Sequence, residues 1–160
     1  MPTSRQSLVA YWAAQAEGPE SRHVWLFHSH ALFDHTMFER VEEARAFRDR
    51  IAETFVATEH LEVHSFVPRP AGPFLRGSFE VLFTREVFAD YVTWLAFERP
   101  EAIDVLVHPL TRLQVPDHGA HAMWLGRPVA LDMTLLQAFD EKIIAAGQSE
   151  VDVIEGTKKH

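Results

Sequence analysis

The stretch "HVWLFHSHALF", residues 23–33, decides how the fold is read. Apolar side chains recur there with a period of two, the spacing of a strand whose faces meet different surroundings. Trp25, Phe27 and Phe33 fall on one face; Leu26, His28, His30 and Leu32 fall on the other. Two imidazoles side by side on one face suit a polar concavity better than a core. Residues 24–33 are therefore read as a strand between an apolar layer and a pocket.

Working outward, "HTMFERVEEARAFRDRIAETF" repeats Val41, Ala44, Phe47, Ile51 and Phe55 at steps of three or four, which predicts a helix. Strands are expected at 60–67 ("HLEVHSFV") and 75–83 ("LRGSFEVLF"), joined by the Pro-rich "PRPAGP". Thr84 is a candidate cap for a helix over 85–98, with Phe88, Tyr91, Val92 and Leu95 inward. A fourth strand fits "AIDVLVH", 102–108, and an irregular stretch fills 109–132. "TLLQ" at 134–137 has the form of a capping box and opens a C-terminal helix reaching about residue 147. A short N-terminal helix is expected over 5–16 and a loose tail over 148–160. The reading is one domain, residues 1–160.

Strand–helix–strand–strand–helix–strand is the split βαβ, ferredoxin-like order, an α+β fold. The first strand should lie between the third and fourth, antiparallel to both. The helices cover one sheet face; the terminal helices, or a second copy in a homodimer, are candidates to cover the other.

Composition narrows the function. The chain has ten His and no Cys, so a metal site here needs imidazole and carboxylate ligands. A net charge of −8 disfavours a nucleic-acid partner. No apolar run approaches membrane-spanning length and the N-terminus lacks a signal-peptide pattern, so a cytoplasmic protein is expected.

Strand alternation then collects the polar side chains. His28, His30, His64, Glu80, Asp104 and His108 share the mixed face, and the end of the fourth strand should bring His108 close to His28. "DHGAH" at 117–121 adds His118 and His121, with Asp117 placed to orient one ring. Two His and a carboxylate with open positions are the usual non-heme Fe(II) arrangement. His28, His30, His108 and Glu80 are the candidate ligands.

The blocks "HSHALF", "RPAGP", "DVLVHP", "DHGAHAMWLG" and "PVALD" resemble, in order and spacing, those of the DOPA 4,5-dioxygenase family, over about residues 23–133. The resemblance implies a ferredoxin-like fold and extradiol cleavage of a catechol-type small molecule by a metal centre, Fe(II) foremost, with O₂ as co-substrate. His28, His30, His108, His118, His121 and Trp124 match family positions; His118 and His121 are then the acid/base or anion-orienting groups. Val67 and Phe74 stand where the family has His, and Leu32 where it has Tyr. The alternative is a divergent, non-catalytic member that uses the cleft to bind a ligand or partner.

Overall fold

A computed structural model describes residues 24–111 and 113–146; the helix expected over 5–16 and the tail over 148–160 lie outside them. Five strands form one antiparallel sheet: β1 (Leu26–Phe33), β2 (Leu61–Val67), β3 (Gly77–Thr84), β4 (Asp104–Pro109) and β5 (Met123–Leu125), in the order β2-β3-β1-β4-β5. The helices are α1 (Phe38–Thr54), α2 (Phe88–Glu98), α3 (Gln114–His118) and α4 (Met133–Ala146). The fold is α+β and of ferredoxin-like type. β1 lies between β3 and β4 and antiparallel to both, as the element order implies.

Helices α1 and α2 pack on one sheet face. Ala44, Phe47 and Ile51 from α1 and Tyr91 and Leu95 from α2 meet Ala31, Phe33, Phe79, Val81, Phe83, Val105 and Val107 from the strands. Each large side chain buried here contributes roughly 1.5–3 kcal/mol of transfer free energy. Ser29 is the polar exception on this face of β1, and its hydroxyl is hydrogen-bonded to the buried Tyr91 hydroxyl at 2.9 Å. β2 keeps Leu61, Val63 and Phe66 on the helical side by means of a bulge: Val63 pairs with Val81 and Phe66 with Phe79, so His64 and Ser65 together oppose Glu80.

Part of the second sheet face is covered within the chain. The 68–76 loop seats Phe74 against Leu32 and Leu106, beside Ala122, Trp124, Val129 and Leu131. The expectation of a homodimer drew on a bare sheet face, and these segments now cover much of it.

Some local expectations change. The stretch 109–132 is not wholly irregular, because it holds α3 and the edge strand β5. Thr84 ends β3 and does not cap α2: its hydroxyl lies 3.2 Å from His60 Nδ1, and α2 begins at Phe88 without a side-chain cap. The cap of α4 is Asp132, not Thr134, since its Oδ1 accepts the Thr134 and Leu135 amides. Arg76 pairs with Asp104 at 3.5 Å. Gly126 has φ +94, and a Cβ there would lie 2.6 Å from Asp104 Oδ1. Its freedom lets the next amide, of Arg127, donate to the buried Asp104 carboxylate at 2.8 Å and fasten the chain after β5 to β4.

Candidate metal centre

Strand register builds the site as a small grid on the face away from α1 and α2. Across β3, β1 and β4, one row is Leu82–His28–His108, the next Glu80–His30–Leu106, and the third Ser78–Leu32–Asp104. His28 and His108 are thus direct cross-strand partners, and His30 is the neighbour of Glu80. All three histidines are buried.

Ligand atoms of His28, His30 and His108 lie within 4.8 Å of one another, a grouping that could hold a metal ion. His30 Nε2 and His108 Nε2 are 3.1 Å apart. Two nitrogens each about 2.1 Å from one ion, at right angles around it, stand about 3 Å apart, so this spacing fits a shared metal. His118, from α3, adds a fourth buried ring, its centroid 4.1 Å from that of His108 and 5.7 Å from that of His30. The sequence places His118 in the loop block; α3 carries it onto the sheet.

The outer ring nitrogens are tied to oxygen. His108 Nδ1 donates to the Pro109 carbonyl at 2.7 Å, and His118 Nδ1 to the Gln114 carbonyl at 2.9 Å. Each bond fixes a tautomer with Nδ1 protonated and leaves the Nε2 lone pair for a ligand role. Burial, reinforced by neighbouring imidazoles, pushes His30 and His108 well below the ordinary imidazole range, and burial also lowers His118. Neutral rings are the form that ligates. The donor set therefore fits a metal that accepts imidazole, such as iron, zinc, copper or nickel.

Glu80 stands outside this group. Its Oε2 is 3.8 Å from His30 Nδ1, on the outer side of the ring, and its Oε1 is 3.5 Å from His64 Nδ1. His121 is half-exposed, with Nδ1 3.2 Å from Oδ1 of the fully buried Asp117. Asp117 also accepts the Thr111 amide and hydroxyl, each at 2.7 Å. Burial raises the Asp117 carboxyl, against the pull of these hydrogen bonds. Trp124, on β5, packs with Phe74, Leu32 and Leu106 beside the imidazoles.

Phe74, which stands where the family has His, shows its contacts only in the structure, and Asp140 is a residue that the sequence did not single out. Phe74 lies against the site, its ring centroid 4.6 Å from that of His30 and 6.3 Å from that of His118. Asp140 of α4 caps α3 by accepting the Gln114 and Val115 amides at 2.7 and 2.9 Å, which sets the helix that carries His118. Both contacts join segments distant in sequence, and no local pattern announces them.

Comparison with known proteins matches this geometry to a class. The profile of the Dopa 4,5-dioxygenase family matches residues 27–135, and the chain belongs to that family. A DOPA 4,5-dioxygenase of Amanita muscaria is 29% identical over 122 residues, 73% of this chain and 52% of the relative. An uncharacterized 21.2 kDa protein of Botryotinia fuckeliana is 31% identical over 112 residues, 65% of this chain and 59% of the relative. The chain thus spans between half and three fifths of the length of these curated relatives. Among solved structures, a "putative dioxygenase" of Nostoc punctiforme superposes with a TM-score of 0.61 at 31% identity, covering 72% of this chain and 94% of the other.

Proposed function

We propose that the protein is a metal-dependent extradiol dioxygenase that opens the ring of a small catechol-bearing molecule with O₂. The observation that carries this reading is the convergence of His28, His30 and His108 on the site face, joined by the His118 ring. Four buried imidazoles on one sheet face are costly for folding alone, because each polar ring needs a partner once it leaves water.

His28, His30 and His108 would hold Fe(II), which supplies a Lewis-acid and redox centre where a catechol and O₂ are held side by side. The protein's own groups then orient and move protons. The Pro109 and Gln114 carbonyls hold His108 and His118 with Nε2 free. His121 Nε2 accepts a catechol proton, while Asp117 steadies its Nδ1. His118 presents Nε2 from the buried side as a second acceptor, its Nδ1 held by the Gln114 carbonyl. Phe74 and Trp124 form an apolar wall that keeps water from the ring being opened.

The test is anaerobic loading of the purified protein with Fe(II), followed by a panel of catechols and air. The expected outcome is a single iron equivalent and a yellow ring-opened product with both atoms of labelled O₂ incorporated. A protein that binds iron and opens no catechol would point to shifted chemistry; one that binds no metal would favour a cleft used only for binding.

A further inference from the structure

Three rings of the site have an oxygen acceptor beside the outer nitrogen, but the acceptors differ in kind. For His108 and His118 they are backbone carbonyls, fixed by the fold. For His30 it is the side chain of Glu80, at 3.8 Å. This is beyond a direct hydrogen bond and within reach of a bridging water or a small side-chain rotation. The placement has a structural cause. Glu80 is the β3 partner of His30, so its carboxylate lies beside the ring on the side away from His108.

Glu80 does not stand alone. The β2 bulge sets His64 opposite it, with Nδ1 3.5 Å from Glu80 Oε1 and Nε2 3.3 Å from Glu62 Oε2. A regular β2 would place a single residue opposite Glu80; the extra residue re-aims the strand there, as bulges near active sites do. The carboxylate thus has an imidazole on each side, one buried and one partly exposed.

We infer that Glu80 and His64 form a positioning clamp on His30: Glu80 draws the proton of that ring to Nδ1, and His64, donating through Nδ1–H, holds Glu80 in place. Glu80 is a positioning residue here and not a ligand. The inference rests on the proposed reading of the site as a metal centre. Its physical content is a choice between tautomers. With Nε2 protonated, His30 would donate to His108 across the 3.1 Å gap and have no lone pair for an ion. With Nδ1 protonated, it faces the carboxylate and presents Nε2 to the centre. A carboxylate behind a ligating imidazole also raises the ring's basicity as a ligand.

Two measurements test it. Zn(II) affinity, by competition with a chromophoric chelator, should fall about 10–100-fold in Glu80→Ala, the usual cost of removing such a support. Glu80→Gln, which keeps an acceptor oxygen, should recover part of the loss. His64→Leu should weaken affinity less than Glu80→Ala, and His64→Gln should restore it. In the metal-free protein, ¹⁵N imidazole spectra should show His30 shifted toward the Nε2-protonated tautomer in Glu80→Ala relative to wild type. Unchanged affinity together with an unchanged tautomer balance would overturn the clamp. Were wild-type protein to bind no metal, the metal-centre reading would fail, and the tautomer comparison would still decide whether Glu80 directs the His30 proton.

Discussion

On the helical side of β1, Ala31 and Phe33 lie among Phe79, Phe83, Val105 and Val107. On the opposite side, His28 and His30 lie among Leu82, Glu80, Leu106 and His108. Apart from Glu80, which is partly exposed, burial on the two sides is alike for these residues, at most 8% exposed on either face. Their chemistry is not. The helical side needs only shape and apolar area. On the other side the rings need polar partners: His108 and His118 find carbonyls at a strand end and in a short helix, and His30 faces the Glu80 carboxylate. Stability explains the first face; the second makes sense as a site held against its own desolvation cost.

That contrast can be broken by exchanging chemistry between the faces. The largest expected effect is in His108→Phe, which should abolish Fe(II) and Zn(II) binding and all O₂-dependent turnover. The metal-free fold should survive, with a stability change below about 2 kcal/mol by urea denaturation, because an apolar ring replaces a buried polar one of similar breadth. Full metal binding by this variant would remove His108 from the site.

The complementary change, Phe83→Ala, should cost about 3–5 kcal/mol of stability through the cavity it leaves. Metal stoichiometry in the fraction that remains folded should be unchanged. A loss of metal affinity larger than the loss of folded protein would show the two faces to be coupled.

The pH dependence of metal-free stability separates the faces again. His30, His108 and His118 titrate lower in the fold than the ordinary value of about 6.5. Below that pH the unfolded chain binds more protons than the folded one, so stability falls as pH drops from about 6.5 toward the folded values. The raised Asp117 carboxyl acts with the opposite sign: the folded state keeps its proton longer, so its contribution weakens as pH rises above about 3.8. The imidazole contribution should shrink in His108→Phe and persist in Phe83→Ala. An equal pH slope in wild type and His108→Phe, measured by urea midpoints between pH 7 and 5, would contradict it.

The smallest effect tests the periphery. Asp132→Ala removes the α4 cap and should cost about 1 kcal/mol, leaving metal affinity as in wild type.

Much of the fold was legible because β1, β3 and β4 alternate cleanly and α1 repeats its apolar residues at helical spacing. The same alternation put His28, His30 and His108 on one face, and antiparallel order put His108 across from His28. The ambiguous parts are those whose partners are distant in sequence. α3 is five residues long, contains Pro116, and is held by Asp140 from another helix. β5 has three residues and no period to read. Glu80 sits on the face that alternation gives it, in register beside His30; the β2 bulge that sets His64 opposite it is what pattern alone does not reveal.

The central claim is that imidazoles from β1 and β4 share one ion. X-ray absorption of the Fe(II)-loaded protein tests it most directly. The expected spectrum shows nitrogen ligation at about 2.1 Å with the outer-shell scattering of at least His28, His30 and His108, reduced by one ring in a His28→Ala variant that still binds iron. Iron bound through oxygen alone, or a spectrum that ignores the loss of His28, would contradict it.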